Sequence, residues 1–86
     1  MVYCANNNTL YEQAKDACND LGLDPASVSR CLAGQRKSVG SYVFARVTRT
    51  DAESIKAVRA WLLYSMYKIV LDCLDEPLIY KRGDDL

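Results

Sequence analysis

Between Pro25 and Thr50 the chain carries five basic residues, Arg30, Arg36, Lys37, Arg46 and Arg49, and no acidic one. Guanidinium and ammonium groups gathered in this way neutralise phosphate oxygens, and an arginine can also address a guanine edge through two parallel hydrogen bonds. Ser27 and Ser29 flank this block with hydroxyls that donate or accept. The rest of the sequence offers little catalytic chemistry. It has no histidine, the side chain whose proton is exchanged most readily near neutral pH. It has no G-x-x-x-x-G-K-[ST] loop to cradle a nucleotide, and its acidic residues are scattered over expected helix surfaces and termini. Cys4, Cys18, Cys31 and Cys73 include no C-x-x-C pair. They read as structural thiols, with a metal-holding cluster assembled by folding as the alternative. We therefore expect no enzyme, no metal and no cofactor.

The basic block needs a scaffold, and local signals supply one. Asp24 is a helix N-cap type, Pro25 suits the first helical position, and Gly34 can take the left-handed conformation that ends a helix. They mark a helix of about nine residues. Upstream, Val2-Tyr3-Cys4 is a short β-prone run before the turn formers Asn6-Asn7-Asn8. Thr9 is then placed to cap a helix from Leu10 to about Asp20, with Gly22 as its stop. Cys18, Gly22, Val28 and Cys31 have the spacing of a helix-turn-helix, in which a small residue allows close approach, glycine turns the chain and two apolar residues anchor the second helix. An αα-hairpin without a DNA role is the plainer reading of the same spacing. With Val28, Cys31 and Leu32 inward, Ser27, Ser29 and Arg30 fall on the outer face, where Ser29 and Arg30 can meet base edges. Arg36 and Lys37 lie in the following turn, within reach of phosphates.

The segment Gly34, Gln35, Arg36, Lys37, followed by Gly40, Ser41, Tyr42 and Phe44, resembles the small DNA-binding modules that accompany phage and intron-encoded homing endonucleases. Those modules end in a helix, a G-K-R-K-like turn and a G-G-Y-x-W/F strand. Ala17, Leu21, Gly22, Leu23, Val28, Ser29 and Leu32 fit the helix pair, so the resemblance runs from about Val2 to Val47. Ser41 replaces the second glycine, and Ala33 stands where a polar residue usually precedes the glycine stop. The resemblance implies DNA binding, which the outward helix face and the acid-free block assign to Ser27, Ser29, Arg30, Arg36, Lys37 and Arg46. It also implies that Val2-Tyr3-Cys4 pairs with a strand within Ser41 to Val47.

Thr50-Asp51-Ala52-Glu53 reads as a capping box, opening a helix from Asp51 to about Leu74 that stops before Pro77. Ile55, Val58, Leu62, Met66, Ile69, Val70 and Cys73 form its apolar stripe, widened by Trp61, Leu63, Tyr64 and Tyr67. That is more apolar surface than two short helices can cover, so Ile55, Val58, Leu62, Met66, Ile69 and Cys73 are expected to meet a second copy or another protein, with packing on the helix-turn-helix module as the alternative or in addition. Its apolar run, Trp61 to Leu74, is too short and too charged, with Lys68 and Asp72 inside it, to span a membrane.

The expected fold is thus mainly α. A helix-turn-helix with a small two-stranded β element fills residues 1–47, a long amphipathic helix fills 48–76, and 77–86 form an extended tail. Eleven basic and eleven acidic residues leave no net charge, so any positive surface is local. No signal-peptide pattern is seen at Met1-Val2-Tyr3, which points to the cytoplasm, that of the host if a phage encodes the chain. The expected function is a small phage-encoded regulator that binds DNA. The alternative is a protein-binding adaptor or inhibitor, acting on host polymerase or lysis proteins, that reuses the module for protein contacts.

Overall fold

A four-stranded mixed sheet lies at the centre of the chain, with helices packed on both of its faces. The computed structural model describes residues 1–68 and 77–83. Along the chain come β1 (Val2–Cys4), β2 (Thr9–Tyr11), α1 (Ala14–Leu21), α2 (Pro25–Leu32), β3 (Phe44–Arg46), α3 (Ala52–Tyr67) and β4 (Ile79–Lys81). The strand order is β3-β1-β2-β4. β1 pairs antiparallel with both β2 and β3, and β4 adds to β2 in parallel. The expectation of a mainly α fold with two strands is thereby overturned.

The sheet explains where the apolar residues go. Successive strand residues point to opposite faces, and β1 divides its side chains accordingly. Val2 and Cys4 join Tyr11, Phe44, Ala17 and Cys18 of α1, and Val28 and Cys31 of α2. Tyr3 joins Leu10, Val43, Val47 and the α3 residues Ile55, Leu62 and Leu63 on the other face. All three β1 residues are buried because both faces are covered. Burial of an aliphatic side chain stabilises by roughly 1.5–3 kcal/mol, so Ile55, Leu62 and Leu63 hold α3 to its own sheet.

Three boundaries differ from expectation. Thr9 opens no helix: Thr9-Leu10-Tyr11 forms β2, paired Val2↔Tyr11, Tyr3↔Leu10 and Cys4↔Thr9. The asparagine turn returns the chain antiparallel to β1, and a strand there buries Tyr11 completely. α1 starts later, at Gln13, whose backbone N–H donates to Asp16 Oδ2 at 3.2 Å in a capping box made without serine or threonine. The N-cap of α3 is Asp51 rather than Thr50, because Asp51 Oδ2 accepts from the Ser54 N–H at 3.0 Å and from Ser54 Oγ at 2.9 Å. Those bonds hold the Asp51 carboxyl below its ordinary range. α3 ends at Tyr67, not near Leu74. Lys68 takes the left-handed conformation at φ 57°, its N–H donating to the Tyr64 carbonyl at 2.9 Å and its ammonium lying 5.4 Å from the Tyr64 ring centroid.

The extended piece expected from Pro77 is paired: Ile79 and Tyr80 lie in β4, beside β2. Lys81 lies in β4, and its Nζ donates to Asp20 Oδ2 at 2.9 Å, joining the sheet edge to α1. Tyr11 donates to the same oxygen at 2.7 Å. The two bonds, that of Lys81 first, hold the Asp20 carboxyl below its ordinary range, while burial and that carboxylate push the Tyr11 hydroxyl up. Asn8, at φ 50°, accepts from the Tyr3 hydroxyl at 2.6 Å and donates to the Pro77 carbonyl at 3.1 Å. A residue read only as a turn former therefore also ties the first hairpin to the last strand.

Candidate nucleic-acid interface

The helix pair forms as its local signals require. Gly22 ends α1 in the left-handed conformation, φ 67°, and the Cys18 carbonyl accepts from the Leu23 N–H at 3.0 Å. Asp24 precedes α2 with extended backbone, and Pro25 is its first residue. At the other end Gln35 N–H donates to the Arg30 carbonyl at 2.9 Å and Gly34 N–H to the Cys31 carbonyl at 3.1 Å. With Gly34 at φ 84°, this pair of bonds is the Schellman arrangement, which satisfies the last carbonyls of a helix and reverses the chain. The reversal delivers Arg36 and Lys37 directly beside α2.

Val28 and Cys31 of α2 are buried, Leu32 is half-buried, and Ser29 and Arg30 are exposed, as the helical spacing predicts. Ser27 departs from the expectation. It is half-buried and in use: its hydroxyl donates to Asp24 Oδ2 at 3.2 Å and accepts from Arg36 Nη1 at 3.2 Å. Arg36 Nε donates to the Ser38 carbonyl at 3.2 Å. Two of the five N–H donors of the guanidinium are thus spent on holding it in place, and the others remain for a ligand. Ser27 positions Arg36 rather than offering itself to a partner.

A tight turn follows, in which Val39 and Tyr42 exchange both backbone hydrogen bonds at 2.9 Å. Gly40 occupies its first central position at φ 61°. Ser41 needs no glycine freedom, since its φ is not positive, so the departure from a double glycine leaves the turn intact. Asn6 secures it, donating to the Ser41 carbonyl at 2.7 Å and accepting from the Val43 N–H at 2.8 Å. β3 then runs along β1 in the register Val2↔Arg46, Tyr3↔Ala45, Cys4↔Phe44. This is the pairing of the opening run with the closing strand expected from the resemblance.

β3 is an edge strand, and there α2, the basic turn and α3 enclose a groove of about 600 Å³. Arg36, Lys37 and Arg46 line it together with Trp61, over apolar residues that include Leu32 and Phe44. The structure thus gathers three of the six expected binding residues around one concavity. Ser29 and Arg30 stand apart from its lining, on the outer face of α2. Trp61, which sequence reasoning counted within the apolar stripe, is 66% exposed. The signal was present: Trp61, Leu62 and Leu63 are consecutive, and residues 100° apart on a helix cannot all face one sheet. Leu62 and Leu63 took the buried side.

Of the six residues expected at a protein interface, the three described ones pack on the chain's own sheet. Ile55 and Leu62 are buried and Val58 half-buried against the second sheet face, because that face supplies the cover that two short helices lack. The side chain of Met66, and Ile69, Val70 and Cys73 entirely, lie outside the described residues. Cys4, Cys18 and Cys31 are free and buried, and burial pushes the Cys4 and Cys18 thiols up, away from the reactive thiolate. Among the described residues no cluster of three metal-binding side chains occurs, and no helix is long and apolar enough to cross a membrane.

Residues 7–45 match the family model described as the DNA endonuclease I-HmuI-like, NUMOD-like domain. This is the homing-endonuclease-associated module that the stretch Gly34 to Phe44 resembles. The match takes in β2, α1, α2 and the basic turn and leaves β1, α3 and β4 outside it. It supports DNA binding in general. Neither a curated protein nor a solved structure matches the chain.

Proposed function

We propose, from the NUMOD-like match over residues 7–45, that the chain binds duplex DNA through Arg30 and Ser29 on α2 and through Arg36, Lys37 and Arg46 beside it. The observation that carries this reading is the acid-free basic set to which Arg30 on α2 and Arg46 on β3 belong, with Arg36 and Lys37 turned back beside α2 by the Gly34 reversal. Phosphates are met by Arg36, Lys37 and Arg46, and base edges by Ser29 and Arg30 at the outer face of the helix. Net charge is zero, so attraction is confined to this surface and affinity rests on short-range contacts. The finer reading is a non-catalytic regulator, encoded by a phage and acting in its host's cytoplasm. Its support is the module's resemblance and a sequence without histidine.

Titration against random duplex DNA at low salt tests the reading. Three neutralised phosphates give a slope of log K against log salt of about −2.7. The triple variant Arg30→Ala, Arg36→Ala, Lys37→Ala is expected to flatten that slope and weaken binding at least tenfold. Absence of binding at micromolar protein, or a triple variant that binds as the natural chain does, overturns the reading. A protein-binding role keeps one supporting observation, the exposure of Trp61 and Tyr64 on α3. Light scattering that finds a dimer dissolved by Tyr64→Ala would favour it.

A further inference from the structure

The groove at the β3 edge differs from the outer face of α2 in a way that bears on what kind of DNA the chain holds. Its floor is apolar, with Leu32 and Phe44, its rim carries Arg36, Lys37 and Arg46, and Trp61 of α3 forms part of its wall. Among the described residues no carboxylate lines it. Three cations around one small concavity repel each other unless an anion is present, and the indole beside them is left 66% exposed to water. The volume of about 600 Å³ is that of a small-molecule site rather than of a duplex groove contact. One ligand answers all of these features: a planar base with a phosphate on either side.

We propose that this groove takes an unpaired nucleobase of DNA, stacked on Trp61, with the flanking phosphates on Arg36, Lys37 and Arg46. The inference rests on the DNA-binding reading above and extends it beyond the family-matched segment, since Trp61 lies outside residues 7–45. A base within an intact duplex presents only its edges and has no free face for the indole, whereas a bulged or single-stranded base does. The groove therefore discriminates between paired and unpaired DNA by stacking, while α2 contributes equally to both. An acidic aromatic peptide has comparable charge but lacks phosphates spaced on both sides of one ring.

Trp61 is the chain's one tryptophan, so its fluorescence reports on this groove alone. The test compares a 20-base-pair duplex, the same duplex with one bulged thymine, and a peptide of alternating aspartate and tyrosine, each titrated into the full chain. The expected result is quenching by the bulged duplex, with affinity about 5- to 100-fold above that for the intact duplex. Trp61→Ala should lower the bulged-duplex affinity to the intact-duplex value and leave the latter unchanged, and Trp61→Phe should restore part of the difference. Exposure of Trp61 leaves both variants free to fold, which circular dichroism checks. Equal binding of the two duplexes without quenching overturns the inference while DNA binding stands. Quenching by the peptide and not by the bulged duplex overturns it in favour of a protein ligand. If neither duplex binds, the DNA-binding reading itself falls, and this inference with it.

Discussion

The two faces of the sheet are covered by helices of opposite design. On one, α1 and α2 are eight residues each, stopped by left-handed glycines, and the end of α2 leads into a basic turn. On the other, α3 runs sixteen residues from a strong aspartate cap and ends on a left-handed lysine held over a tyrosine ring. The family match stops before α3, yet β1 belongs to both layers, Val2 and Cys4 serving the first and Tyr3 the second. Stripping either layer would expose apolar side chains of β1 to water. The difference teaches that the helix pair and α3 are one folding unit divided in function: the pair presents charge, and α3 completes the core and adds an aromatic wall.

The most severe way to test that unity is to empty one layer and watch the other. Phe44→Ala, beneath α2, is expected to cost about 3–5 kcal/mol, and Leu62→Ala, beneath α3, about 2–5 kcal/mol. Each should lower the urea midpoint for Trp61 fluorescence and for far-ultraviolet dichroism together, because a shared β1 makes unfolding cooperative. Two separated transitions in Leu62→Ala, with dichroism outlasting fluorescence, would show that the helix pair stands without α3. The division drawn here would then be structural as well as functional.

How much of this organisation could be read in advance depends on how local its causes are. The bounds of α2 follow from Asp24, Pro25 and Gly34, all within a turn of the helix they mark, and the outward placing of Ser29 and Arg30 follows from its periodicity. β2 was not legible in this way. Thr9-Leu10-Tyr11 has helix-compatible spacing with Ala14 and Ala17, and only pairing with β1 and burial of Tyr11 make it a strand. The stripe of α3 was legible but its partner was not, since the second sheet face exists only once β1, β2 and β3 have assembled. β4 lies further still, tied to the first hairpin through Asn8 and Pro77 across sixty-nine positions. The candidate site divides likewise. Arg36, Lys37 and Arg46 stand out as an acid-free block, whereas Trp61 joins them only through the placement of α3.

A smaller effect is expected where the last strand meets α1, at the polar tie between Lys81 and Asp20. Asp20→Asn weakens the acceptor for Lys81 and for the buried Tyr11 hydroxyl, and is expected to cost about 1–3 kcal/mol at neutral pH. The Asp20 carboxyl titrates below its ordinary range in the folded chain. Its contribution is therefore full above the unfolded carboxylate value of about 3.9 and is lost as pH falls through the lower folded value. Urea midpoints of the natural chain and of Asp20→Asn should differ most at pH 6–7 and converge below about pH 4. A gap that is constant with pH would mean that the tie contributes through packing alone and leaves β4 electrostatically independent of α1.

The finest test sets Gly22 against Gly34. Both end helices of the same pair with positive φ, 67° and 84°, and an added Cβ at either would meet nothing within 4 Å. Alanine at either position should therefore cost only the left-handed backbone strain, about 1–2 kcal/mol. In stability the two variants should be near twins. They should part in DNA binding, because Gly22 turns the chain between two packed helices, whereas Gly34 turns it into Arg36 and Lys37. Gly34→Ala is expected to weaken duplex binding several-fold more than Gly22→Ala when both are measured well below their melting temperatures. Equal losses would place the basic turn's orientation outside the binding mechanism. The phosphate contacts would then have to come from Arg30 and Arg46, which sit on α2 and β3 and do not depend on that reversal.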